Sequence, residues 1–310
     1  MPALRKTDIV YEEEKAKPFL KWAGGKSQLL PELVERLPFI IKSKNYIENY
    51  IEPFIGGGAF FFYLKNYFEI EKSFIFDVNR ELILGYKTIK SNCYELIDEL
   101  YDLQNKYLAC SSDKREKVFY EMREKYNHQI KSFDYYNFTK EWIIRVSMLI
   151  FLNKTCFNGL YRQNKSGCFN VPFGGYTNPK ICDNENIEVV SRQLQNTEIF
   201  CADFSESEKC IRKNSFIYFD PPYRPLNKTS SFTDYSKEGF TDEDQKRLAK
   251  FYKLLNKKNA YLMLSNSDSQ DDFFQKLYNG FKIDKVMANR MINCNGNGRG
   301  KITELIITNY

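Results

Sequence analysis

Three consecutive glycines, Gly56, Gly57 and Gly58, separate a strand-like run, "NYIENYIEPF", from a helix-like run over residues 59–66. Glycines at a strand-to-helix turn let backbone approach a neighbour closely and leave N–H groups free at the start of the helix. A second such pair follows at once: "KSFIFD" reads as a strand and "NRELILGYKTI" as the start of a helix. Strands alternating with helices imply parallel βαβ units, so the chain opens as an α/β fold.

From residue 91 to about 154 the periodicity is helical, with no clear strand, and an Asn/Gly-rich basic segment follows. Strand signals return in "TEIFCA", "SFIYFDPPY", "AYLMLSN", "FKIDKVMA" and "ITELIITNY", with a helix over 243–256. The last two flank an Asn/Gly loop and should pair antiparallel at the sheet edge. The pattern divides the chain into a sheet domain, 1–90 with 195–310, and a mainly helical insert, 91–194. Residues 1–15 read as a ragged end.

The 310 residues, 43% hydrophobic and 28% charged, suit a globular protein with a full core. No apolar run approaches the ~18 residues of a membrane span. The N-terminus lacks the apolar stretch of a signal peptide, so a cytoplasmic protein is expected. Eight cysteines form no C-x-x-C, and the only histidine, His128, has no ligand cluster, so no metal is expected. The net charge is +6, and basic groups concentrate in two loops. Residues 151–175 hold Lys154, Arg162 and Lys165 without an acid; residues 282–301 hold five basic groups against Asp284. A solvated basic face explains the charge alone, but Asn, Gly and aromatics among the charges fit a nucleic-acid surface better.

"WAGGKSQ" resembles the tail of a nucleotide-binding P-loop. That motif needs a glycine five positions before Gly25, where this chain has Leu20. The plainer reading is a Gly-Gly turn leading into a helix over 26–37.

Asp220-Pro221-Pro222-Tyr223 directly follows a buried strand, and ligands in open α/β sheets bind at the carboxyl ends of strands. Two prolines hold a rigid bend that presents a carboxylate, a proline carbonyl and an aromatic face. Those groups suit a planar base with an exocyclic amine. Asp77 ends the second strand about 20 residues after the glycines, placed to accept from ribose hydroxyls. The glycine triplet does not fit G-x-G-x-x-G, since Phe61 stands at the third position, which disfavours a dinucleotide.

Together these motifs resemble the Dam-like DNA adenine methyltransferases of the D12 class. "FLKWAGGK", "EPFIGGG", "DVN", "NKTCFNGLYRQNKSGCFNVPFG", "ADF", "DPPY", "FT.EDQ" and "SNS" occur in family order along nearly the whole chain. The resemblance implies a Rossmann-like methyltransferase sheet, mostly parallel with an antiparallel edge strand, and a helical target-recognition insert carrying a hairpin. It implies S-adenosylmethionine (AdoMet) as methyl donor. Trp22 and Lys26 would contact it, Lys26 through the methionine carboxylate. Glu52, Phe54 and Gly56 would line its pocket, Asp77 would bind its ribose, and Asp203 and Phe204 would flank its adenine. Asp220, with Pro221, Pro222 and Tyr223, would hold the target base and complete the cofactor site.

The delocalised lone pair makes the adenine amine a poor nucleophile. Acceptors at Asp220 and the Pro221 carbonyl favour a pyramidal nitrogen aimed at the methyl group, so transfer needs positioning and electrostatics. Ring methylation of cytosine would need a cysteine after a proline, and no proline here precedes one. The base must be flipped from the duplex, at a few kcal/mol. In the family, the segment matching 157–173 enters the major groove. Phe157 would wedge into the stack, Asn158 would steady the orphaned thymine, and Leu160 and Pro172 would meet a thymine methyl. Arg162 would read a guanine, Lys21 the first guanine of the site, and Asn164 would add a DNA contact. These residue types favour GATC, with a longer site beginning GAT as the alternative. The departures Tyr161, Gln163, Lys165 and Cys168 bear on flanking contacts. A non-catalytic DNA-binding protein on the same fold is the alternative in function, but each motif that the chemistry needs is intact. Such enzymes act alone or beside a restriction endonuclease sharing the site; no obligate protein partner is evident.

Overall fold

The computed structural model describes residues 14–164, 166–224, 240–269, 271–289 and 301–310. Residues 290–300 of the second basic loop, Lys165, and residues 1–13 of the expected ragged end lie outside them. Strands β1 (Tyr46–Glu52), β2 (Glu69–Asp77), β3 (Thr197–Cys201) and β4 (Phe216–Phe219) pair in parallel with β5 (Tyr261–Ser267) in one sheet. Strands β6 (Lys282–Asn289) and β7 (Lys301–Thr308) complete it in the order β3-β2-β1-β4-β5-β7-β6. Only β7 is reversed; it pairs antiparallel with both β5 and β6, so the terminal pair does sit at the edge.

Strand order reverses between β1 and β4, which opens a crevice at their carboxyl ends. The glycine triplet leaves β1 there and Asp220 leaves β4 there. All of β4 is buried, as a strand covered on both faces must be. Alternate residues enter opposite cores: Tyr50 and Tyr218 on one side, Ile51, Ile217 and Phe219 on the other. The first core lies under α3 (Ala59–Tyr67), α4 (Arg80–Leu108), α6 (Lys140–Thr155) and α7 (Asn184–Gln193). The second lies under α8 (Asp242–Asn256) and α9 (Phe273–Leu277).

The helix expected over 26–37 is shorter than that. Residues 26–29 form turns, and α1 spans only Leu30–Glu35, with a proline in its first turn. Pro31 lacks an N–H and is at home at a helix start rather than inside one. A second short helix, α2 (Phe39–Lys44), follows. The sequence position 90/91 falls within α4, which bends at Asn92 (φ −140°, ψ 43°). Helix α7 packs back onto α3 and α4, so the helical segment shares a core with the sheet.

A buried ion pair fastens that segment. Arg145 of α6 is fully buried and meets Glu81, in the first turn of α4, at 2.5 Å. Its Nε also donates to Glu81, and its Nη1 donates to the Tyr126 carbonyl at 3.1 Å. Tyr126, on α5 (Ser112–Gln129), lies 4.2 Å from the guanidinium carbon, Phe133 stacks at 4.8 Å, and the Tyr135 hydroxyl donates to Glu81. Burial opposes the guanidinium charge, but the Glu81 hydrogen bonds, with the charges of Glu81, Tyr126 and Tyr135, together outweigh it and keep the pKa above its ordinary value. The helix itself is capped next door, where the Asn79 side chain accepts from the N–H groups of Glu81 and Leu82.

Removing one partner leaves a buried, unpaired charge. Arg145→Met should therefore cost about 3–5 kcal/mol in denaturant unfolding. Glu81→Leu combined with Arg145→Met should be more stable than Arg145→Met alone.

Candidate active site

The bend after β4 is occupied by charge. Lys26 Nζ lies 3.0 Å from Asp220 Oδ1, 4.2 Å from the Tyr223 ring centroid and 2.8 Å from the Gly24 carbonyl, to which it donates. Gly24 (φ +78°) makes the tight turn that folds the lysine inward. Burial raises the Asp220 pKa to about 6; Lys26 works against that shift, Glu304 adds to it and the Ser265 hydroxyl lowers it. Ser265 Oγ donates to Asp220 Oδ1 at 3.2 Å and lies 2.7 Å from the Tyr218 hydroxyl. The Tyr223 hydroxyl donates to Glu304 at 2.7 Å. Gln245 donates to the Pro222 carbonyl at 3.1 Å and accepts from Asn266. The bend is thus held by side chains from β5, β7 and α8.

The glycine cradle lies across the crevice. A Cβ on Gly58 (φ +73°) would fall 2.5 Å from the Tyr86 hydroxyl, and one on Gly57 would fall 3.1 Å from Trp22 Cβ. The glycines therefore admit Tyr86 and Trp22. Gly56 ties the cradle to β2: its N–H donates to Asp77 Oδ2 at 3.1 Å and its carbonyl accepts from Tyr86. Asp77 also accepts from the Asn79 N–H at 2.8 Å, yet burial still raises its pKa. Glu52 is buried and accepts from the Tyr50 hydroxyl at 2.6 Å; burial pushes its pKa well above the usual carboxylate range. Phe54 packs on Phe204 (centroids 5.4 Å apart) and on Phe240. Asp203 takes both arms of the Arg247 fork at 2.7 and 2.8 Å, which with Ser205 outweighs burial and brings its pKa to about 2.

The structure brings Glu52, Phe54, Gly56, Asp77 and Phe204 to one end of the sheet, with Trp22 against the glycines. Lys26 faces Asp220, where the sequence suggested a cofactor carboxylate as its partner. Asp203 spends both oxygens on Arg247. Glu304, Ser265, Tyr218 and Gln245 carried no assigned role in the sequence. "SNS" and "EDQ" were visible as motifs, whereas nothing local marks Glu304, 81 residues from the tyrosine it holds.

The hairpin runs between Cys156 and Phe173, bridged there and again at Gln163 and Phe169. Phe157 is 55% exposed at its base, and Asn158 sits next to it in the left-handed region (φ 58°). Leu160 is half-buried and Pro172 exposed, its carbonyl accepting from the Phe157 N–H. Arg162 is exposed and donates to Asn170 at 2.9 Å. Asn164 is turned to structural use: its side-chain oxygen accepts from the N–H groups of Ser166 and Cys168 and closes the tip. Tyr161 is buried and stacks on Trp22, rings 4.8 Å apart and 13° from parallel.

Asn153, buried near the end of α6, joins three segments. It exchanges two hydrogen bonds with the Lys21 backbone, at 2.9 and 3.0 Å, and donates to the Gly159 carbonyl. Lys21 is held beside the hairpin with its side chain exposed.

A glycine cradle and a D-P-P-Y bend at the switch point of a mostly parallel sheet with a reversed β7 define a Rossmann-like methyltransferase. Residues 22–292 match the D12 class N6 adenine-specific DNA methyltransferases, and the chain belongs to that family. It is 52% identical to the type II methyltransferase M.MjaIII of Methanocaldococcus jannaschii, across 95% of this chain and 99% of the relative. It is 40% identical to M1.LlaDCHI of Lactococcus lactis subsp. cremoris, across 95% of each chain. The DNA adenine methylase of Escherichia coli K12 is 32% identical, across 94% of this chain and 95% of the relative. This protein is an adenine-specific DNA methyltransferase.

The ionised form of Asp220 is the stronger acceptor for an amine, and it alone carries charge to offset a developing cation. Methyl transfer should therefore be lost as pH falls through about 6, measured as kcat against pH. Asn153→Ala should loosen Lys21 from the hairpin and weaken DNA affinity roughly tenfold, the scale of one or two lost hydrogen bonds, read by fluorescence anisotropy.

Proposed function

We propose that the chain takes its methyl group from AdoMet and delivers it to an adenine flipped out of duplex DNA, within GATC. The observation that carries this reading is the pairing of a half-buried carboxylate with an aromatic face, Asp220 and Tyr223, beside a glycine cradle at the switch point. A base amine needs an acceptor and a stacking surface, and stacking is worth about 1–3 kcal/mol against the cost of flipping.

The cradle residues fit AdoMet. Asp77 spends two acceptor sites on backbone and keeps others for ribose hydroxyls. Phe54 and Phe204 offer apolar faces to an adenine ring, next to Asp203. Trp22 and Glu52 complete the wall, Gly56 allows close approach, and Lys26 is the cation available to a carboxylate. The cofactor supplies an electrophilic methyl group. The chain's own residues hold the base, keep water out and carry the negative charge that stabilises the amine as it becomes cationic.

For the DNA, residues 91–194 with the hairpin serve as the recognition unit, and 1–90 with 195–310 as the catalytic unit. The exposed Phe157 and Asn158 suit a wedge and a contact to the orphaned thymine. Arg162 and Lys21 suit guanines, and Leu160 and Pro172 suit thymine methyls. A bidentate arginine on guanine is worth about 1–3 kcal/mol of discrimination. Relatives are named both type II methyltransferases and DNA adenine methylases, so service beside a restriction endonuclease or alone are both open to this chain.

Long-read sequencing of DNA from cells expressing the protein should show N6-methyladenine at GATC. Modification confined to longer sites beginning GAT would replace that assignment. Asp220→Ala should abolish methyl transfer and retain DNA binding; near-normal turnover would remove Asp220 from its role.

A further inference from the structure

Asp220 accepts two contacts, and both fall on one oxygen. Lys26 and the Ser265 hydroxyl meet Oδ1 at 3.0 and 3.2 Å, and among the described residues no hydrogen bond falls on Oδ2. Ser265 is fully buried on β5 and is itself held by Tyr218, one of the largest wholly buried side chains, two residues before Asp220. On the other wall, Glu304, midway along β7, holds the Tyr223 hydroxyl at 2.7 Å, while the Lys26 ammonium lies over the same ring. Glu304 is register-paired with Ser267, two residues beyond Ser265, so the two props rise from paired strands.

We infer that Ser265, supported by Tyr218, and Glu304 are positioning residues: Ser265 fixes the Asp220 carboxylate so that Oδ2 receives the base amine, and Glu304 fixes the ring on which the base lies. The inference rests on the reading of Asp220 and Tyr223 as the base-holding pair. It adds two residues that touch neither base nor methyl group.

The two props act on Asp220 in opposite electrical senses. A hydroxyl donor favours the ionised carboxylate, whereas a neighbouring carboxylate disfavours it. Other charged or titratable groups facing Asp220 are Lys26 from the turn before α1, Glu52 and Tyr50 from β1, Tyr218 from β4, and Tyr223 from the bend itself. All of these but Tyr218 stay in place throughout the test, so a shift in the pH profile reports on the altered residue.

The test measures tritiated methyl transfer from AdoMet to mixed-sequence genomic DNA, which does not depend on the site read. Profiles of kcat against pH are compared for wild type, Ser265→Ala, Tyr218→Phe and Glu304→Gln. Ser265→Ala should lower kcat roughly tenfold to a hundredfold, the scale of a misplaced reacting group, with KM for DNA little changed. Its acid midpoint should rise. Tyr218→Phe should move the midpoint the same way by less, and Glu304→Gln should move it down. If Ser265→Ala does not fold, Tyr218→Phe and Glu304→Gln decide by the opposite signs of their shifts. An active wild type whose folded variants all share its midpoint overturns the inference alone. A wild type that transfers no methyl group from AdoMet overturns the proposed function with it.

Discussion

A guanidinium wholly buried from solvent holds the helical segment to the sheet. Arg145 can stay charged there because Glu81, the Tyr126 carbonyl and three aromatic rings surround it. Glu81 is no remote anchor: it stands four residues after Asp77 and two after the Asn79 cap. The pair therefore joins the carboxyl end of β2, where the cradle closes, to the helix that carries the hairpin. Apolar residues of like volume at both positions would join the two segments as firmly, whereas loss of one partner alone leaves a buried charge unpaired.

The crevice shows a second use of buried charge. Asp220, Glu52 and Asp77 all face the low-dielectric end of the sheet, and burial raises the pKa of each. The chain answers each with different chemistry: a lysine for Asp220, a tyrosine hydroxyl for Glu52, and backbone N–H groups for Asp77. Of the three, only Asp220 is met by a cation among the described residues, and that cation is itself held by the Gly24 carbonyl and the Tyr223 ring.

Much of this was legible from local pattern. All seven strands, the order of motifs and the antiparallel terminal pair follow from runs of apolar residues between turn signals. Asp220, Tyr223, Asp77 and the glycines announce themselves by their place after strands. What escaped was long-range. Arg145 reads as one more polar residue on a helix, Asn153 as an interruption in "IFLNKT", and Glu304 as one polar residue in the last strand. Each takes its meaning from a partner at least 64 residues away in sequence. The overlong first helix has a local cause: a helix over 26–37 would put Pro31 in its interior, and Pro31 marks the start instead. For Asn164 the resemblance implies a DNA contact; its part in closing the hairpin tip through Oδ1 is visible only in the structure.

The stack of Trp22 on Tyr161 joins the wall of the cradle to the body of the hairpin. A different side chain at position 161 would change what faces the indole, so the hairpin and the wall of the cradle are coupled through a single ring contact. Exposed positions such as Arg162 can vary while the packing beneath them is left intact.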